Sequence, residues 1–134
     1  MPIMTWDASL DVGVDAMNHE HQEILDAMNR IYDARAKGVT GSVIDNMVAR
    51  LGAITHHHFA DEEAFMKRVG YPELDRHKAL HARLLEQFGV HARQIKTAGG
   101  VPDDAFFHFL KFWLTSHIKG IDTKYAAHAK ARVA

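Results

Sequence analysis

The stretch ITHHHFADEEAFM, residues 54–66, sets three consecutive histidines before three acidic residues. Imidazole and carboxylate both ligate transition metals, and a chain with eleven histidines and no cysteine has only those groups to offer. Residues three or four apart on a helix share a face, so spacing sorts the candidates. His58 lies four after Ile54 and seven after Leu51, which continues an apolar stripe, and Glu62 extends it by four more. His77 and His81 repeat the four-residue spacing in line with Leu74, Leu84 and Phe88. His21 stands three before Ile24 and seven before Met28, and His117 follows Leu110 and Trp113 by seven and four. Asp122 is five after His117, about 140° round an ideal helix. It joins the inner face only if the helix widens locally to π form or the backbone shifts near Gly120, and π-bulges are frequent at functional sites. By the same geometry His19 and His56 face solvent, and His57 falls at a helix boundary or surface. Asp61 and Glu63 flank Glu62 and point elsewhere.

A buried polar group without partners costs several kcal/mol. Any one of these histidines, taken singly, reads equally well as a satisfied core residue. Five of them with a glutamate on inward faces do not. His91 and His128 keep the plainer reading, because each sits about 15 Å along its helix from the nearest candidate histidine. His108 has no companions and reads as surface or bundle-end. Seven candidate ligands are too many for one cation and suit two, with carboxylates able to bridge. The ligand types alone do not choose among iron, copper, zinc and nickel. Histidine outnumbers carboxylate five to two, and so few anionic ligands favour reversible oxygen binding over oxidase chemistry.

Four segments with helical periodicity must carry these groups. They run over about 15–37, 42–69, 72–98 and 103–132, separated by Gly38 and Gly41, by Gly70-Tyr71-Pro72, and by Gly99-Gly100. Ser42 and Asp103 are expected N-caps. The apolar sides comprise Met17, Ile24, Met28 and Ile31; Ile44, Met47, Leu51, Ile54 and Phe65; Leu74, Leu84, Phe88 and Ile95; and Phe106, Leu110, Trp113, Leu114 and Ile121. Strand signals are weak. Short connections favour an all-α, antiparallel up-down-up-down four-helix bundle, with residues 1–14, which include Pro2 and Trp6, as an arm packed on it. In that arrangement the start of the first helix, the end of the second, the start of the third and the later part of the fourth share one layer. The candidate ligands all fall in it.

The chain has 134 residues, enough for one domain over 1–134. Its formal net charge of -1 favours no nucleic-acid or anionic-membrane partner. No apolar run approaches the roughly 20 residues of a membrane span. No signal peptide is visible, and the lack of cysteine fits a reducing compartment, so a cytoplasmic location is expected.

With those residues assembled, the sequence resembles the single-domain bacteriohemerythrins. The resemblance covers nearly the whole chain: Trp6 and Val12-Gly13-Val14, HQEI at His21, HFxxEExxM at His58–Met66, HxxxH at His77–His81, and WLxxHIxxxD at Trp113–Asp122. It implies a non-haem di-iron site of two Fe2+/Fe3+ ions with a bridging oxo or hydroxo group and O2 as ligand. It implies that His77, His81 and His117 hold one iron, that His21 and His58 hold the other, and that Glu62 and Asp122 bridge them. It places Ile24, Phe59, Trp113, Leu114 and Ile118 around the O2. The expected activity is reversible O2 binding, as carrier or store, with no catalytic residue. The alternatives are a di-iron enzyme (peroxidase, oxidase or nitric-oxide reduction, with Tyr125 as a redox-active neighbour), an O2 or redox sensor acting through a separate partner, and a structural bundle that binds zinc or nothing.

Overall fold

The computed structural model describes residues 4–133. It is a four-helix bundle: α1 is Asp15–Ala36, α2 Ser42–Arg68, α3 Leu74–Thr97, and the fourth rod is α4, Asp104–His117, continued by a π-helical turn, Ile118–Asp122, and α5, Thr123–Val133. Each rod buries one stripe. Met17, Ile24, Met28 and Ile31 of α1 meet Ile44, Val48, Leu51 and Met66 of α2, with Phe88 and Ile95 from α3 and Phe106, Leu110 and Leu114 from α4. Each large apolar side chain so buried contributes roughly 1.5–3 kcal/mol relative to exposure. The α2 stripe sits slightly to one side of the expected one. Val48, Thr55 and Met66 are buried, whereas Met47, Ile54 and Phe65 lie at its margin. Leu74 and Leu84 are marginal on α3 in the same way. The side chain of Ile121, expected on the apolar face, lies outside the described residues, as does Pro2.

Two helix starts differ from expectation. Ser42 is the first residue of α2 rather than its cap; Gly41 holds that position at φ 77°, without a side-chain cap. The reason is a close approach. Gly41 N–H donates to the Gly99 carbonyl at 3.0 Å, and a Cβ on Gly100, itself at φ 77°, would come within 2.2 Å of the Gly41 oxygen. The α1–α2 and α3–α4 turns are thereby pinned together, which needs glycine on both sides. The third helix begins at Leu74 instead of Pro72, because a turn first closes from Leu74 N–H to the Tyr71 carbonyl. Asp103 caps α4 as expected, accepting from Phe106 N–H at 2.9 Å.

The arm is tied to α1. Asn29 accepts from Met4 N–H and donates back to its carbonyl, while Asn18 accepts from Val12 N–H and donates to Asp11. Trp6 packs against the core, and Leu10, in a 3-10 turn over Ala8–Leu10, is buried.

Candidate metal centre

Every rod contributes to one buried layer. α1 supplies His21, α2 supplies His58 and Glu62, α3 supplies His77 and His81, α4 ends on His117, and the π turn ends on Asp122. None of the seven is more than 7% exposed. The π turn is what brings Asp122 in: its wider winding puts a side chain five residues after His117 back on the same face. Asp122 Oδ1 lies 3.1 Å from His117 Nε2.

The two carboxylates straddle the layer. Glu62 Oε1 lies 2.8 Å from His81 Nε2 and 3.4 Å from His77 Nε2, while its Oε2 lies 3.1 Å from His58 Nε2 and 3.5 Å from His21 Nε2. Asp122 repeats the division, with Oδ1 3.1 Å from His77 Nε2 and Oδ2 3.2 Å from His21 Nε2. Ligand atoms converge in two groups, Glu62 with His77, His81 and His117, and Glu62 and Asp122 with His21 and His58.

Many of these contacts lie at ion-pair distance without hydrogen-bond alignment. Nε2 of His21, His77, His81 and His117, Oε1 of Glu62 and both oxygens of Asp122 are buried and have no hydrogen-bond partner. A core retains so many polar atoms only if something satisfies them together. Five imidazoles and two carboxylates aimed at two points fit a pair of cations with nitrogen and oxygen preference.

Two further carboxylates orient the imidazoles. Glu20 Oε1 accepts from His58 Nδ1 at 2.7 Å, and Glu63 Oε2 accepts from His81 Nδ1 at 2.9 Å. Each leaves the Nε2 lone pair facing the centre. Spacing along one helix had turned Glu63 away from Glu62, and it overlooked Glu20. Both do their work across helices, and the one available signal was the need of a ligating imidazole for an acceptor on its far nitrogen. Tyr125, fully buried on α5, donates to Glu62 Oε2 at 2.9 Å. Burial, then the charges of Glu62 and Asp122, push its pKa well above the usual phenol range, so it remains a donor.

The carboxylates favour protons on the neighbouring imidazoles. Burial opposes charge on His58, but Glu20 and Glu62 outweigh it and the pKa is pushed up to about 10. Burial opposes charge on His77 too, yet Asp122 and Glu62 raise it to about 9. Burial and the Glu62 charge work against ionised Asp122, and His117 and His21 more than offset them, holding it at about 2.

Ile24, Phe59, Trp113, Leu114 and Ile118 line a pocket together with His21, His58, His117 and Asp122. Its walls leave no room between them for a water-sized sphere. Phe59 also stacks on His81, with ring centroids 3.8 Å apart. The remaining histidines stand apart. His19 and His57 are exposed and paired with Glu23 and Asp61, and His56 and His108 are exposed. His91 packs against Phe106 and Phe109, and His128 bonds the Val69 carbonyl at 3.1 Å.

The sequence pattern of the hemerythrin HHE cation binding domain matches residues 12–129. A bacteriohemerythrin of Stenotrophomonas maltophilia (strain R551-3) is 29% identical over 136 residues, covering 99% of this chain and 86% of its own. A myohemerythrin of Riftia pachyptila is 33% identical over 120 residues, covering 90% and 88%. The crystal structure of wild-type hemerythrin superposes with a TM-score of 0.82 at 26% identity, over 94% of this chain and 97% of that one. A point variant of hemerythrin reaches 0.84 at the same identity, over 96% and 98%.

Proposed function

The chain belongs to the hemerythrin family, and we propose that it binds O2 reversibly at a non-haem di-iron centre, as an oxygen carrier or store. The whole chain serves as one such domain. His77, His81 and His117 would hold one iron, His21 and His58 the other, and Glu62 and Asp122 would serve both. The observation that carries this assignment is the division of both carboxylates, each with one oxygen toward each histidine group. When bound, the two irons supply the electrons that make O2 binding reversible.

The protein's own residues do the rest. Three imidazoles serve one end and two the other, so the two-histidine end is one protein ligand short, and that end borders the apolar pocket. Ile24, Phe59, Trp113, Leu114 and Ile118 keep water and anions from that position. Glu20 and Glu63 fix the tautomers of His58 and His81. Tyr125 holds one oxygen of Glu62.

Five imidazoles against two carboxylates favour binding and release over turnover of a second substrate. Among the described residues no helix is long and apolar enough to cross a membrane. The cysteine-free composition agrees with a cytoplasmic site of action. The test is an optical spectrum of the reduced protein before and after air, and again after deoxygenation, with iron quantified on the same sample. An O2-dependent absorption that disappears on deoxygenation, with two irons per chain, is expected. Irreversible oxidation of iron on first exposure would contradict a carrier.

A further inference from the structure

The buried centre uses one of the three consecutive histidines on α2 and leaves His57 free for another task. His57 and Asp61 repeat, one residue earlier, the i, i+4 spacing of His58 and Glu62, which turns the pair about 100° round the helix toward solvent. His57 Nε2 lies 3.2 Å from Asp61 Oδ2, with the side chains 75% and 43% exposed. Glu20 faces them from α1, and one ligand atom each from Glu20, His57 and Asp61 fall within 4.8 Å of one another. Beside them is a surface depression of about 440 Å³, bordered by His19, Glu20, Glu23 and His57. His19 and Glu23 add a second imidazole–carboxylate pair at 2.9 Å.

Glu20 belongs to both settings. The carboxylate that helps form the outer triad also accepts from His58 Nδ1 at 2.7 Å. The inner ligands are closed off from solvent, so iron has to reach them past some surface opening. Another depression, of about 400 Å³, touches an inner ligand at His77, but there Arg76 and Lys124 outnumber Glu73 and disfavour an approaching cation. The opening by Glu20 offers carboxylates and imidazole instead.

We propose that Glu20, His57 and Asp61 form an exposed site for a divalent transition-metal ion, at which Fe2+ docks before it passes to the buried ligands. The docking role rests on reading the inner cluster as the di-iron centre. One imidazole and two carboxylates suit Fe2+, Co2+, Ni2+ and Zn2+ alike. Only three protein ligands, on the surface, leave the remaining positions to water, so the ion stays exchangeable. Through Glu20 it is one side chain from the nearest inner ligand.

Two measurements on the full chain test this. Iron-free protein is mixed anaerobically with Fe2+ and uptake is followed in time for wild type, His57→Ala, Asp61→Asn and His56→Ala. Several-fold slower loading is expected in the first two variants, with the same final iron as wild type, and wild-type kinetics in the third. Separately, Ni2+ is titrated calorimetrically into iron-loaded protein, with one additional ion per chain expected for wild type and none for His57→Ala. Wild-type loading rates in both His57→Ala and Asp61→Asn would overturn the docking role, and Ni2+ binding that survives His57→Ala would overturn the site. Wild-type protein that takes up no iron would refute the inner centre and the docking role with it; Ni2+ titrated into that iron-free protein, with one ion fewer bound in His57→Ala, would then uphold the outer ligand set alone.

Discussion

Glu63 Oε2 accepts from His81 Nδ1 at 2.9 Å, from a neighbouring helix and with 27% of the Glu63 side chain still exposed. This bond holds His81 with its other nitrogen toward Glu62. Glu63→Ala should therefore loosen iron without removing a ligand. Carboxylates that hold ligating histidines are typically worth 10–100-fold in metal affinity. Chelator competition at equilibrium should show a loss of that order, with two irons still bound when iron is in excess. Unchanged affinity would remove Glu63 from the role.

The ligand assignment predicts a contrast between adjacent histidines. His58→Ala and His77→Ala should hold well below two irons per chain, while His56→Ala, on the exposed side of the same helix turn as His58, should hold the wild-type amount. Iron analysis after loading checks this. Full iron in both of the first two variants would refute the ligand set, and a loss in His56→Ala matching that of His58→Ala would refute the helix faces.

Tyr125→Phe removes the hydroxyl that donates to Glu62, at 2.9 Å, and keeps the ring. The bond is buried, so its loss should destabilise the protein by about 1–3 kcal/mol, because a buried acceptor is left wanting. Chemical denaturation of the iron-free protein measures it. A variant as stable as wild type would mean that Glu62 finds another donor.

Acidity should act in opposite directions on the iron-free and iron-loaded forms. His58 and His77 have folded pKa values of about 10 and about 9, above the ordinary 6.5 of an unfolded histidine. Their contribution to iron-free stability is fully present below about pH 6.5 and is lost as pH rises through 9 to 10. Iron needs those nitrogens deprotonated, so loading releases protons and affinity falls as pH falls. Denaturation midpoints of the iron-free protein, and proton release on loading near pH 8 measured in an indicator dye, check both signs. An iron-free form that gains stability from pH 7 to 10 would contradict the first, and loading without proton release the second.

Ile118 is 1% exposed and walls the apolar pocket beside His117 and Asp122. Ile118→Ala opens room for water next to the two-histidine end. Autoxidation of the O2 complex should accelerate, as followed by decay of its absorption in air. A wild-type rate would take Ile118 out of the shield.

How far these features are legible in the sequence follows from what each depends on. The helix faces obey one local period, which is why His58 and Glu62 separate cleanly from His56. That period blurs at the edge of a stripe: Met47 and Val48, or Ile54 and Thr55, differ by one step of about 100°, and only packing decided for Val48 and Thr55. Asp122 needed a departure from the ideal period, and the π turn at Ile118–Asp122 is that departure. The start of α2 at Ser42 was set by Gly41 against Gly100, a contact between turns 59 positions apart that no local cue carries. Glu20 and Glu63 escaped for the same reason: each bonds an imidazole on a different helix.

Anomalous diffraction at the iron absorption edge, on crystals of the iron-loaded protein, tests the central claim most directly. Two peaks are predicted in the buried layer, one against Nε2 of His77, His81 and His117 and the other against Nε2 of His21 and His58, with Glu62 and Asp122 each sending one oxygen to either peak. A single peak in that layer, or two peaks that share neither carboxylate, would contradict it.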